Sequence, residues 1–110
     1  MGLNLSRGEA IKYYSSDRIT QILGNGLVCL IDEKTQYRNF FNENEMIFYK
    51  NINDLSEKIL RITNDDKLRK LIARKGKEKY MKYFNSTLVA DYIIKKTLDV
   101  KIKNKFFWDK

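Results

Sequence analysis

The sequence predicts an α/β fold, in which a short parallel sheet with flanking helices is closed by a C-terminal helical run. Two strand-like segments bracket a helical one within the first 31 residues. The second of them, Leu27-Val28-Cys29-Leu30-Ile31, is apolar without a break, as expected of a strand covered on both faces. From Asn53 onward, apolar residues recur at three- and four-residue spacing, the pattern of successive amphipathic helices.

Each element follows from local chemistry. Leu3–Ser6 alternates apolar and polar side chains and reads as a short strand. Arg7 to Ser15 forms a loop, after which Ser16 is suited to cap a helix with Asp17 in its first turn, where the helix dipole favours an anion. Ile19, Ile22 and Leu23 give that helix its inner face, and Gly24-Asn25-Gly26 ends it, because these residues tolerate positive φ. Asp32-Glu33 ends the apolar strand. Residues 34–41 form a short helix or turn that points Tyr37, Phe40 and Phe41 inward, and Met46–Tyr49 is another short buried strand.

The helices come next. Asn53 or Asp54 caps one whose inner face is Leu55, Ile59 and Ile62, with Glu57 in the position of a capping-box partner. Asn64-Asp65-Asp66 opens a second, with Leu68, Leu71, Ile72, Gly76, Tyr80, Tyr83 and Phe84 on one stripe. Gly76 inside that stripe costs about 1 kcal/mol of helix propensity relative to Ala, so a neighbour packed close to its backbone is expected. Asn85 or Ser86 starts a third helix carrying Leu88, Val89, Tyr92 and Ile93. Domain organisation therefore reads as a domain over residues 1–98 and a basic aromatic tail over 99–110, whose Phe106, Phe107 and Trp108 are expected to be exposed and to favour self-association as a homo-oligomer.

Composition narrows the chemistry. At 110 residues one domain is expected. Seven Tyr, six Phe and one Trp supply core-forming bulk that argues against disorder. The chain has no His, which excludes imidazole bases, Ser-His-Asp triads and His-ligated metals. Its one cysteine, Cys29, permits neither an intramolecular disulfide nor a cysteine zinc cluster and reads as an inert core thiol in a reducing compartment. No metal site is expected. No apolar run approaches the roughly 18 residues of a spanning helix, and a cytoplasmic location is the expectation.

The formal charge of +8 is lopsided: residues 1–50 carry six basic and six acidic side chains, residues 51–110 sixteen and eight. Such asymmetry raises nucleic acid or an anionic membrane as partners. Lys outnumbers Arg 16 to 6, whereas specific readers of bases and phosphates lean on the Arg fork, so nucleic acid is disfavoured. The lysines of residues 67–82 read as a solvated helix face. The tail, with Met1-Gly2 and Ser6 fitting an acylation pattern, leaves peripheral membrane contact as a reading.

One stretch carries a resemblance. Arg18, Gln21 and Gly26 keep a spacing of three and then five residues, lead into the apolar strand and follow Asn4-Leu5-Ser6-Arg7. Phe41 through Tyr49, Asn53-Asp54-Leu55, Asp66-Lys67-Leu68-Arg69, Ile72-Ala73, Gly76 and Tyr83 to Thr87 continue the order. Over residues 3–96 this resembles the nucleotide-sugar-binding half of GT-B-fold glycosyltransferases, in the group 1 branch with a spore-maturation-protein-like C-terminal domain. The resemblance implies the Rossmann-like half of a GT-B fold and a site for a nucleoside-diphosphate sugar, which is donor substrate rather than cofactor. Catalysis would then transfer a hexose to a glycan or other acceptor, with the acceptor site on an N-terminal domain or a partner chain.

The implied donor site comprises Arg7, Ser15, Ser16, Arg18, Gln21 and Gly26. A helix N-terminus presents unpaired N–H groups to a diphosphate. Ser15 and Ser16 add hydroxyl donors, and Arg7 or Arg18 can neutralise charge through a bidentate fork. In the family an acidic residue on this helix accepts bonds from the ribose hydroxyls; Gln21 stands at that position and offers an uncharged amide oxygen. Many retaining relatives carry a Glu eight residues earlier, where this chain has Tyr13. No residue is nominated as general base. Plainer readings stand beside these: Arg18 as an ordinary exposed helix residue, Gln21 as a solvated one, Gly24 and Gly26 as a helix stop, and the whole domain as a non-catalytic interaction module or a basic module for nucleic acid or anionic membrane.

Overall fold

The computed structural model describes residues 1–5, 9–13, 17–101 and 106–108. Three strands, β1 (Gly2–Asn4), β2 (Cys29–Asp32) and β3 (Ile47–Tyr49), form a parallel sheet in the order β1-β2-β3. Helix α1 (Asp17–Gly24) links β1 to β2, and two 3-10 turns, Glu33–Thr35 and Tyr37–Asn39, lie between β2 and β3. Three helices follow: α2 (Ile52–Thr63), α3 (Asp66–Tyr83) and α4 (Ser86–Thr97). The fold is α/β with a C-terminal helical run.

The uninterrupted apolar run is explained by the two faces of the sheet. Pairing of Ile31 with Phe48 and of Leu30 with Ile47 keeps side chains in matched layers. Cys29, Ile31 and Phe48 meet Ile19, Ile22 and Leu23 of α1 on one face, together with Phe40, Phe41 and Met46. Val28, Leu30, Ile47 and Tyr49 meet Ile62 of α2 and Ile72 and Ala73 of α3 on the other. Both faces of β2 are therefore dry.

Helix α3 joins the two layers. Ile72 and Ala73 belong to the second, whereas Tyr80 and the following Phe84 pack on the first. Between them Gly76 is buried, and a Cβ there would run into the carbonyl oxygen of Glu45 and crowd Leu23 Cδ2 at 3.2 Å. Glu45 lies two residues before β3, so α3 crosses the amino end of that strand. Lys79 Nζ to Glu45 Oε2 at 3.0 Å and the Thr20–Tyr80 hydroxyl contact at 2.7 Å hold the crossing. The close neighbour expected at Gly76 is the backbone of Glu45.

Several local expectations shift. The first strand is Gly2–Asn4, one to two residues before Leu3–Ser6, because Gly2, Leu3 and Asn4 pair with Cys29, Leu30 and Ile31. Helix α2 is capped by Asn51, whose Oδ1 accepts from the Asp54 amide at 2.9 Å, rather than by Asn53 or Asp54. Asp54 instead accepts from the Lys50 amide at 2.9 Å and from Lys58 Nζ at 3.1 Å, which holds its carboxyl below the usual range, while Glu57 is exposed. Leu71 turns out of the α3 stripe and is exposed. Asp65 and Asn85 cap α3 and α4, each accepting from the third helical amide at 3.0 Å. The capping expected of Ser16 falls outside the described residues.

The tail aromatics are half-buried rather than exposed. Phe107 stacks on Tyr83 with centroids 4.5 Å apart and Trp108 on Phe84 at 5.6 Å. Phe106 and Trp108 also lie edge-on to Tyr92 at 5.1 and 5.5 Å.

Cys29 is buried, and desolvation pushes its thiol pKa up to about 12. Because the thiolate is the nucleophile, alkylation by iodoacetamide is expected to be negligible in native buffer and to follow the unfolding curve in urea. Rapid labelling of the folded chain would contradict the burial.

Candidate functional site

In an open parallel sheet, ligands bind beyond the carboxyl ends of the strands. Here that edge is formed by Asn4, Asp32 and Tyr49. Asn4 is buried at the end of β1. Arg18, in the first turn of α1, reaches back so that its Nη1 donates to the Leu5 carbonyl at 3.4 Å. This places the exposed Arg18 side chain just past the end of β1, at the amino end of α1. Gln21 lies one turn further along α1 and is exposed.

The structure thus brings Arg18 and Gln21 to the same helix beside the carboxyl edge, and it sets Gly26 elsewhere. Gly26 adopts φ +70° and donates to the Leu23 carbonyl at 3.0 Å, closing α1 at its far end near the start of β2. Arg7, Ser15 and Ser16 lie outside the described residues.

Asp32 ends β2 and is occupied as a cap: its Oδ1 accepts from the Lys34 amide at 2.9 Å, and its carbonyl accepts from Thr35 Oγ1 at 2.7 Å. Tyr49, its register partner on β3, has a raised phenol pKa, through burial first and the Asp32 charge second.

Tyr13 adds a feature of the rim that residue spacing does not reveal. Its amide donates to the Thr35 carbonyl at 2.8 Å, and its hydroxyl accepts from Asn39 Nδ2 at 2.8 Å. Its carbonyl accepts from the Tyr37 hydroxyl at 3.3 Å, and its ring lies 5.0 Å from Phe40. These ties hold Tyr13 at φ +59°, a left-handed conformation that costs an ordinary side chain about 1–2 kcal/mol. Tyr13, between β1 and α1, is thereby fastened to the 3-10 turns after β2. The available sequence signal was the Tyr13-Tyr14 pair in the loop between the first strand and the first helix.

Cavities also lie away from this edge, the larger of them, of about 370, 460 and 500 Å³, along α3 and the tail. The one beside β3 holds about 170 Å³ and is lined by Phe48, Lys58, Arg61 and Ile62 among others. That is below the roughly 300–1,000 Å³ of small-molecule sites, and Lys58 is already turned to the Phe48 carbonyl and Asp54. Among the described residues, no group of three or more Cys, Asp or Glu is placed to hold a metal ion, and no helix is long and apolar enough to cross a membrane.

A parallel three-stranded sheet with helices on both faces defines the chain as an α/β protein. The family model described as glycosyl transferase-like matches residues 1–95, and the chain belongs to that family. No curated protein and no solved structure matches it. Family membership associates the chain with glycosyl transfer.

Proposed function

We propose that this chain is the donor-binding part of a glycosyltransferase of GT-B type, in the branch with a spore-maturation-protein-like C-terminal domain, acting in the cytoplasm. The donor is a nucleoside-diphosphate sugar, and its diphosphate lies at the amino end of α1 against the carboxyl edge of β1. The observation that carries this reading is the Arg18 Nη1 contact to the Leu5 carbonyl, which holds a guanidinium where a diphosphate would meet unpaired helix N–H groups. Arg7, Ser15 and Ser16 complete the anion site by sequence position. Gln21 accepts from a ribose hydroxyl through its amide oxygen.

In the reaction, the bond from the sugar anomeric carbon to the diphosphate breaks and a bond to an acceptor hydroxyl oxygen forms. The acceptor's proton passes to a base. Arg18 stabilises the charge that builds on the departing diphosphate. Acceptor and base belong to an N-terminal domain or a partner chain, so the chain alone binds donor without turnover.

Amide NMR titration with UDP, GDP and short duplex DNA tests the reading. Saturable shifts at Arg18 and Gln21 that prefer one nucleobase are expected. Arg18→Ala should weaken binding about 10- to 100-fold, the value of a hydrogen bond to a charged group. Gln21→Glu, which supplies a charged acceptor to ribose, should tighten it about fivefold. A folded chain with no nucleotide response rules the proposal out. A response to DNA alone, along residues 67–82 and lost with salt, replaces it with a polyanion-binding module.

A further inference from the structure

Helix α4 is built differently from the others. None of its residues is buried, although it carries Leu88, Val89, Tyr92, Ile93 and Ile94. It is tied down on one side only, where Leu88 and Tyr92 are half-buried and Tyr92 meets Phe106 and Trp108. The opposite side exposes Val89, Ile93, Ile94 and Leu98 by 38, 56, 56 and 68%. The residues between them on that side are Ser86, Thr87, Ala90 and Thr97, so the strip is free of acidic groups. A helix of 12 residues is marginal in water without packing, and this one turns its apolar side outward.

One border of the strip is cationic and the other is neutral. Lys96 flanks it on one side with its ammonium 5.6 Å from the Tyr92 ring centroid. On the other, Asp91 is neutralised by Lys95 at 2.7 Å. Lys101 follows Asp99 just past the helix, and residues 51–110 as a whole supply the chain's net charge of +8. The half-buried Phe106 and Trp108 adjoin the same helix.

We infer that the outward face of α4 docks on an anionic lipid surface. Val89, Ile93, Ile94 and Leu98 enter the boundary between headgroups and acyl chains, and Lys96 and Lys101 lie against lipid phosphates. An apolar strip edged by lysines with aromatic rings alongside is the arrangement an interfacial helix uses. A second copy fits less well, since face-to-face packing would bring these lysines together. A protein partner would require polar groups for registry, roughly one hydrogen bond per 100–200 Å², and the strip offers little beyond a few hydroxyls.

The test uses the full chain with phosphatidylcholine vesicles, with and without phosphatidylglycerol, at low and high salt. Binding is read by co-sedimentation and by emission from Trp108, the only tryptophan. Binding to the anionic vesicles alone is expected, with little change in Trp108 emission, since that ring lies on the side of α4 turned to the core. Lys96→Gln and Lys101→Gln should each weaken it about fivefold. Ile93→Ser with Ile94→Ser should weaken it about tenfold or more, with circular dichroism unchanged because both side chains are exposed. Failure to bind anionic vesicles at low salt overturns the inference. So does binding that the paired serine substitution leaves intact, which would mean adsorption through lysines only. A vesicle-free dimer abolished by the same substitution would assign the face to a second copy. Nucleotide binding is not part of the readout, so the donor-site proposal stands or falls separately.

Discussion

Gly76→Val lowers the stability of the chain by about 3 kcal/mol or more, the upper range for forcing volume into a packed interior. The cause is a collision with backbone rather than with a flexible side chain. Any Cβ at position 76 meets the Glu45 carbonyl oxygen, and Glu45 is tied by its Lys79 ion pair and by the start of β3. Helix α3 cannot retreat, because Ile72 and Ala73 are buried on one side of the glycine and Tyr80 is bonded to Thr20 on the other. In a chain of this length such a loss lowers the melting temperature by more than about 10 °C. Gly24→Ala is the contrasting case, since nothing lies within 4 Å of where the alanine methyl would sit, and removing glycine flexibility gains about 0.4–1 kcal/mol. Urea unfolding of both variants decides the matter. A Gly76→Val midpoint equal to the parent's would mean that α3 does not lie against Glu45.

Phe84→Ala carries the second large effect, about 3 kcal/mol. Phe84 follows α3 and gathers five rings: it stacks on Phe41, Tyr80 and Trp108 at 5.6, 5.9 and 5.6 Å, and it lies edge-on to Phe40 and Phe107 at 6.0 and 5.6 Å. Losing it leaves a cavity and also frees the tail from the core. Emission from Trp108 should therefore shift to the red in the folded baseline, before any cooperative unfolding. Phe84→Leu should recover part of the loss while lacking the ring geometry, worth about 0.5–1.5 kcal/mol per aromatic pair. A loss below about 1 kcal/mol with unchanged emission would place the tail elsewhere.

The parts of this fold legible in the sequence are those decided by nearest neighbours or by strong bulk patterns. The run Leu27 to Ile31 announced a strand dry on both faces, although the strand proper is Cys29–Asp32 and Leu27 is exposed, and Gly76 in an apolar stripe pointed to a close backbone. Placement failed where several residues were chemically equivalent. Asn51, Asn53 and Asp54 can each accept from a helix amide, and the end of β3 at Tyr49, a tertiary matter, selects Asn51. The sides of α4 were likewise undetermined: Leu88, Val89, Tyr92 and Ile93 span a wide arc, and only the distant Phe106 and Trp108 turn Leu88 and Tyr92 inward. The tail itself pairs with rings fourteen or more residues away and left no local trace. At the candidate site, helical spacing was enough to put Arg18 and Gln21 on one helix. Tyr13 was hidden because its left-handed backbone is imposed by Thr35, Tyr37 and Asn39.

The crossing of α3 under the sheet also shapes how the chain reaches its native state. Its anchoring contacts join Gly76 to Glu45 and to Leu23, and Tyr80 to Thr20, partners separated by 31 to 60 residues. All three strands leave the ribosome before the helix that seals their amino ends. Until residue 84 has emerged, Val28, Met46 and Ile47 have no lid, and the parallel pairings β1–β2 and β2–β3 must be held against the entropy of long loops. Folding should therefore wait for nearly the whole of residues 1–84 and proceed slowly for a chain this short, in the manner of domains dominated by distant contacts.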